Sequence, residues 1–366
     1  MQINTVCGPI RPEELGLTSM HDHILCDASI FRVRAKNLGI VTENPPFDPN
    51  DRLSLGNRGR IRHNMALAWD NLRLDDQEVA LGEVADYKAA GGSAIMEVSV
   101  PGLRSTSQDV LALRRISETT GVHIVAATGL YSEDSWPERF RQMTIDQYAD
   151  YMQEEIENGI GDTGIKPGQI KVAYEGPTPQ ADMFLRAAVR VSRESGLSLQ
   201  IHKGMFLTPD DVPNIILPIL AEENANPERT ILCHMQTMVG GFNLMNLVSD
   251  PTAVPFNLGL LREILDKGYN ICIDTFGHDW ELESLGILNS PDWYLMAAVF
   301  ALVKAGYAKQ IVLGNDVFQK MELCRGGGHG YTRLPGYVVP ALQVVGMSEV
   351  DTRQMTVDNP ARILAF

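Results

Sequence analysis

His21-Asp22-His23 sets two imidazoles two residues apart. On an extended strand, residues i and i+2 face the same side, so both rings would project together. Neutral imidazole is a good ligand for zinc, iron, nickel or cobalt. A His-x-His pair by itself is equally the polar end of an ordinary strand. Three later segments change that balance. Leu199-Gln200-Ile201-His202, Ile231-Leu232-Cys233-His234 and Ile311-Val312-Leu313-Gly314-Asn315-Asp316 are apolar runs that each lead into a metal-ligand type. Four of the eight histidines stand at or near such ends. A fourth run, Ile170-Lys171-Val172-Ala173, carries a lysine inside it. Burying that charge is costly unless it is neutralised or paired. A neutral amine can take up carbon dioxide and become a carbamate, whose two oxygens bridge two metals as a carboxylate would. Glu175, four residues on, is the rival bridging ligand, and also a partner with which Lys171 could pair at a rim.

Such residues act together only if the chain brings them to one place. Eight segments read as strands: Leu17–Ile24, Ser93–Val100, His123–Leu130, Gln169–Tyr174, Ser198–His202, Thr230–His234, Asn270–Thr275 and Gln310–Asn315. Between most of them runs a stretch with helical periodicity. These stretches are Asp75–Ala90, Ser107–Thr120, Met143–Gly159, Gln180–Ser195, Asn257–Lys267 and Trp293–Ala305. Gly121, Gly196 and Gly268 are natural helix stops. Alternating strands and helices can form an open sheet or a closed barrel. Reactive residues at the C-terminal ends of many strands converge only if the sheet closes; in an open sheet they spread along an edge. The expected architecture is therefore α/β, a (β/α)8 TIM barrel over residues 1–366 as one domain, with elongated βα loops at the C-terminal face. The long connections are Cys26–Arg73, His278–Pro291 and Val317–Tyr331. Each follows a strand, so each is expected to shape a substrate pocket.

Composition narrows the function classes. The apolar fraction of 44% supports a large core, and 21% charged residues without long single-sign blocks is ordinary globular usage. A net charge of −15 repels phosphate backbones, so no nucleic-acid partner is expected. Cys7, Cys26, Cys233, Cys272 and Cys324 are scattered, odd in number and form no Cys-x-x-Cys, which argues against a disulfide framework or a thiolate zinc site. The N-terminus has no basic region followed by an apolar run, and no segment approaches a membrane span. A cytoplasmic enzyme acting away from membranes is the expectation, and a homodimer is left open.

The order His-x-His, Lys, His, His, Asp on the first, fourth, fifth, sixth and eighth strands resembles the amidohydrolase superfamily. It is closest to the phosphotriesterase-like branch, with its phosphotriesterase-related and lactonase-like members. Supporting stretches are Gly8-Pro9-Ile10, Leu15-Gly16, Ala127-Thr128-Gly129-Leu130-Tyr131 and Ile273-Asp274-Thr275-Phe276-Gly277. Gly327-Gly328-His329-Gly330-Tyr331 and Asn359-Pro360-Ala361-Arg362 extend the resemblance over nearly the whole chain. It implies that His21, His23 and Asp316 bind one divalent ion and His202 and His234 a second. Carbamylated Lys171 would bridge the two together with a hydroxide. Zinc is the expected metal, with manganese, cobalt and iron fitting the same donors. Asp316 is the expected catalytic residue, moving a proton as the bridging hydroxide attacks.

The implied reaction is hydrolysis of an ester, with a carboxylic ester or lactone, sugar-derived ones included, as the small-molecule substrate. Phosphotriester or phosphoester hydrolysis is the alternative, an amidase or deaminase a third, and a non-catalytic ligand-binding relative a fourth from another class. The chain departs from the family pattern at Met235-Gln236-Thr237 after His234, at Lys203-Gly204 after His202, and in the length of Asn44–Arg73. These departures bear on the substrate rather than on the metals. Tyr131, Asp274 and Arg325 are candidate substrate contacts, the last because glycines 326 to 328 follow it; the alternatives are a rim aromatic for Tyr131, a partner for a neighbouring base for Asp274, and a tight loop allowed by the glycines. Lys203 is expected to be structural, as are His63, His123 and His278. Arg58, Arg60 and Arg62 are expected on a solvated face.

Overall fold

The computed structural model describes residues 1–40, 47–205, 207–240, 242–243, 248–250, 256–282 and 287–366. The start of the expected Asn44–Arg73 insertion and the middle of the His278–Pro291 connection lie outside them.

Eight strands form one parallel sheet in sequence order: β1 (Thr18–Asp22), β2 (Ala94–Glu97), β3 (His123–Leu130), β4 (Gln169–Tyr174), β5 (Ser198–Lys203), β6 (Thr230–Cys233), β7 (Asn270–Ile273) and β8 (Ile311–Leu313). Ordinary ladders join seven neighbouring pairs. The eighth junction, between the first strand and the last, is made by two backbone hydrogen bonds. Asp316 N–H donates to the His21 carbonyl at 2.8 Å, and His23 N–H donates to the Val317 carbonyl at 3.0 Å. The expected barrel is the observed one. The strands are almost continuously buried, as a parallel sheet covered by helices demands.

Helices follow the expected positions to within two residues at each end. They are α3 (Gln77–Ala89), α4 (Asp109–Thr120), α5 (Ile145–Asn158), α6 (Pro179–Ser195), α8 (Gly259–Asp266) and α9 (Asp292–Lys304). Their ends carry the expected chemistry. Asp76 accepts from two backbone amides at the start of α3, Thr178 caps α6, and Gly121 and Gly196 end α4 and α6 in the left-handed conformation. Among the described residues, six α-helices come from segments not read as helical. The first connection contains α1 (Ile30–Asn37) and α2 (Leu55–His63), α7 (Leu217–Glu222) follows β5, and Val339–Val344, Glu349–Arg353 and Asn359–Leu364 follow β8. Among the described residues, no helix is long and apolar enough to cross a membrane.

Register carries the site. Ala173 on β4 pairs with His202 on β5, which pairs with Cys233 on β6, one residue before His234. Lys171 lies one inward-facing step earlier on β4, opposite Gln200. The β1–β2 ladder is irregular between Ser19 and Asp22, beside the His-x-His pair. β6 is one residue shorter than expected because His234 leaves the strand with φ of 61°, in the left-handed region; Asp316, three residues beyond the end of β8, has φ of 52° in the same region. The terminal Asn359-Pro360-Ala361-Arg362 motif works at the opposite end. Asn359 donates to the carbonyls of Ala308 and Ile311, and Arg362 donates to those of Glu228 and Lys309.

Candidate metal centre

The six expected ligands converge. His21 Nε2 and His23 Nε2 stand 3.5 and 3.6 Å from the same oxygen, Asp316 Oδ1. Donors about 2.1 Å from a tetrahedral ion lie roughly 3.4 Å from each other. Both nitrogens hold about that spacing to the shared oxygen, and the donors of the three residues lie within 4.8 Å of one another. His202 Nδ1 and His234 Nε2 are 2.7 Å apart, which is a hydrogen bond and shorter than a shared ion requires. Binding an ion there means opening the pair by several tenths of an ångström. Donor atoms of His21, His202 and His234 also lie within 4.8 Å of one another, so the two groups adjoin.

Each histidine is aimed by a second polar group. His234 Nδ1–H donates to Asp274 Oδ1 at 2.8 Å, which leaves Nε2 as the free lone pair. His23 Nδ1 is hydrogen-bonded to Ser99 Oγ at 2.9 Å, and His202 Nε2 faces Glu175 Oε1 at 3.6 Å. His21 Nδ1 points towards Asp274 Oδ2 at 3.5 Å and makes no hydrogen bond. Such outer partners set ring orientation and tautomer in metal sites. The assignment made by the hydrogen bonds has His202 Nδ1–H donating to His234 Nε2. Moving that proton to Nε2, opposite Glu175, frees Nδ1 for an ion.

Lys171 is fully buried, and its Nζ is 3.2 Å from His21 Nε2. Burial pushes its pKa down, which favours the neutral amine. Burial also lowers the imidazole pKa values: well below the ordinary range at His21, and to about 4 at His202. Burial pushes the Asp316 carboxyl up, but His234, His23 and His278 outweigh it and hold it at about 2. At neutral pH His21 and His202 are therefore neutral imidazoles beside an ionised Asp316, a protonation state suited to ligating cations.

A cavity of about 410 Å³ opens onto His202, His234 and Asp316. Phe31, Leu207, Trp280 and Phe318 make an apolar wall; the Phe31 and Phe318 rings are 5.3 Å apart. A larger groove of about 630 Å³ lies across Glu175, lined by Arg34, Asp134 and Arg141, and reaches none of the clustered histidines.

A phosphotriesterase family profile matches residues 1–364. The chain belongs to the phosphotriesterase family. An N-acetyltaurine hydrolase of Dictyostelium discoideum is 28% identical, over 100% of this chain and 98% of that protein. The crystal structure of a resiniferatoxin-binding protein from Rhodobacter sphaeroides superposes with a TM-score of 0.83 at 28% identity, covering 100% of this chain and 95% of that one. A lactonase from Listeria monocytogenes shares the fold, with a TM-score of 0.76 at 23% identity over 100% and 99% of the two chains.

Within this phosphotriesterase-family barrel the weaker expectations divide. Tyr131 is at the centre: it is 2% exposed and its ring meets the His202 ring edge-on at 5.4 Å. Glu175 does not face Lys171; it accepts from Arg34 at 3.0 Å and stands behind His202. Asp274 does not line the cavity and pairs with a neighbouring base, His234, the alternative expected of it. It is fully buried beneath the histidines and accepts from the His234 backbone and ring and from Gln236. Arg325 is also misplaced as a substrate contact. The buried Glu83 of α3 captures it at 3.0 Å and Asp86 at 2.9 Å, against the barrel flank. The glycine after it allows backbone crossing rather than anion binding, since a Cβ at Gly326 would lie 1.8 Å from the Lys320 carbonyl.

Lys203 is structural as expected, donating to the carbonyls of Gly204 and Leu207. Arg58 is not on a solvated face; it bridges to Asp279 and to the Gly326 carbonyl. Sequence reasoning missed Ser99, Glu322 and the role of His278, whose Nε2 lies 3.0 Å from the Asp316 carbonyl. A histidine four residues beyond Asp274 was the available signal for the last.

Proposed function

We propose that the chain is a metal-dependent hydrolase whose substrate is a neutral carboxylic ester or lactone. The observation that carries this reading is the convergence of four histidines, Asp316 and a buried lysine, of which His202, His234 and Asp316 line a cavity with an aromatic wall. His21, His23 and Asp316 would hold one divalent ion, and His202 and His234 a second. Lys171, as its carbamate, would join them. Nitrogen and oxygen donors of this kind suit zinc, with manganese, cobalt or iron accepted by the same set. A bound ion pair supplies an activated water and polarises the scissile carbonyl. The residues of the chain do the rest. Asp316 directs Oδ1 at His21 and His23, which leaves Oδ2 to take the proton of the attacking water. Phe31, Trp280 and Phe318 hold the apolar part of the substrate and exclude water from it. Tyr131 closes the side next to His202.

Two further readings have specific support. Relatives named N-acetyltaurine hydrolase match over the whole chain, which favours amide cleavage. A sulfonate needs a free cation, however, and Arg34, the nearest arginine to Glu175, is held by Asp134 and Glu175. The 28% identical structure named as a binding protein supports ligand capture without turnover. One screen separates these readings. The chain, loaded with zinc of measured stoichiometry, is assayed against lactones, aryl esters, N-acyl aminosulfonates and phosphotriesters. We expect lactone or ester turnover that falls by at least about 100-fold in Asp316→Asn. Faster amide turnover would replace the ester reading. Two bound ions with no turnover of any class would favour the binding protein.

A further inference from the structure

We propose that Glu322 and His278 form a positioning pair that fixes Asp316 as a ligand and ties it to the aromatic wall of the cavity. The inference rests on the metal-centre reading above. Asp316 has a φ of 52°, a backbone conformation that L-residues with a Cβ rarely adopt. Two contacts hold it there. Its N–H donates to the His21 carbonyl at 2.8 Å, and its own carbonyl accepts from His278 Nε2 at 3.0 Å. The first contact belongs to the barrel seam. The second comes from the connection after β7, which the barrel itself does not require.

His278 is aimed in turn. Its side chain is 2% exposed and Nε2 lies 3.3 Å from Glu322 Oε1, so one N–H is shared between a carboxylate and the ligand's carbonyl. Glu322 is equally buried and is the hub of four more hydrogen bonds. Its Oε2 accepts from the backbone amides of Phe318 and Gln319 at 2.9 and 3.1 Å. Its Oε1 accepts from Trp280 Nε1 at 3.0 Å and Gln319 Nε2 at 3.2 Å. Phe318 and Trp280 are the two rings that wall the cavity beside Asp316. One carboxylate thus holds both walls of the pocket and the imidazole that pins the ligand. Movement of the indole or of the Phe318 backbone is thereby passed to Asp316 through two buried residues, Glu322 and His278.

A merely structural role for the pair predicts general loss of stability. A positioning role predicts a selective loss at one ion. The test uses the full chain and zinc alone. Wild type, His278→Leu and His278→Gln are titrated against a chelator, and the occupied positions are located by anomalous diffraction. We expect His278→Leu to weaken the ion held by His21, His23 and Asp316 by about 10–100-fold while the ion at His202 and His234 is retained. His278→Gln, which keeps a donor near the same point, should recover most of that loss. Equal affinity for both ions in His278→Leu, or equal loss of both, overturns the proposal. If His278→Leu does not fold, Trp280→Phe, which deletes the indole N–H donor to Glu322, must weaken the same ion selectively; no change there also overturns it. A crystal structure of metal-free His278→Gln and His278→Leu gives a second readout. The leucine variant is expected to move Asp316 out of the left-handed region, and an unmoved Asp316 refutes the positioning role. A wild-type chain that takes up no zinc defeats the metal-centre reading instead, and the metal-free structures then decide the positioning role by themselves.

Discussion

Lys171 shows how completely surroundings define a side chain. A lysine on the surface is a hydrated cation; this one is fully buried, with the His21 nitrogen at 3.2 Å. Burial favours the neutral, nucleophilic amine. Zinc loading of stripped protein is therefore expected to be slow in carbon-dioxide-free buffer and faster with bicarbonate. Intact mass spectrometry under native conditions should show one added carbon dioxide. Lys171→Arg, whose guanidinium stays protonated, should hold fewer than two ions; two ions bound to that variant would exclude Lys171 as the bridge. The ligands were legible in the sequence because an apolar run ending in His or Asp is a local pattern. Their partners were not. Asp274 reads as a pocket residue until His234 is seen folding back on it with a left-handed backbone, and Arg325 reads as an anion site until Glu83 is found buried beside it. Both depend on which loop crosses which helix, and one-dimensional spacing does not encode that.

Elements differ in how firmly they hold the centre. β3 and β4 approach closely where Gly129 faces Lys171: φ at Gly129 is 130°, and a Cβ there would sit 1.9 Å from the Lys171 carbonyl. Gly129→Ala must push apart the two strands that carry Tyr131 and Lys171. A loss of about 2–4 kcal/mol in urea unfolding is expected, and a neutral result would show that the strands can separate freely. Outside the barrel, Glu223 just after α7 clamps Arg190 and Arg186 of α6 at 2.8 and 3.2 Å. Hydrogen bonds from Arg190 and Arg186 hold its carboxyl below the ordinary 4.5. A carboxylate whose folded pKa is depressed stabilises the fold above its unfolded pKa, and that contribution is lost as pH falls through the folded one. Glu223→Gln should therefore cost up to about 1 kcal/mol at pH 7, with the gap closing below pH 4.5 in paired thermal melts. The helices that pack on the sheet were legible because they bury a periodic face and stop at glycine. α2 was not, for it buries Ile61 alone and is tethered by Arg58 and Arg62 to Asp279. α1 buries Arg32, which donates to the carbonyls of Ala66 and Leu67. Helices held by arginines reaching across loops carry no hydrophobic period to read.

At the scale of the molecule, the proposed ions would clasp strands from both ends of the chain: β1 with the turn after β8, and β5 with the turn after β6. Ligands that bind only the folded state add about 2.7 kcal/mol each at a hundredfold excess over Kd. Chelation should accordingly lower the melting temperature by several degrees, and readdition of zinc should restore it. A melt indifferent to chelator would show that the barrel is fully formed without metal. Closure of the barrel was legible through convergence of polar residues, whereas the seam itself was not, since it consists of backbone contacts that no side-chain pattern announces. That seam has a consequence for synthesis. β1 is made before the other seven strands of the barrel, but the His21 carbonyl finds the Asp316 amide only when the last of them has emerged. Until then β1 presents an open edge, the kind that pairs with other chains. A prematurely terminated product keeps both histidines of the first pair, lacks the oxygen that completes their site, and cannot shut its sheet. Capture of an ion at the proposed His21, His23 and Asp316 site would thus report that synthesis had passed Asp316.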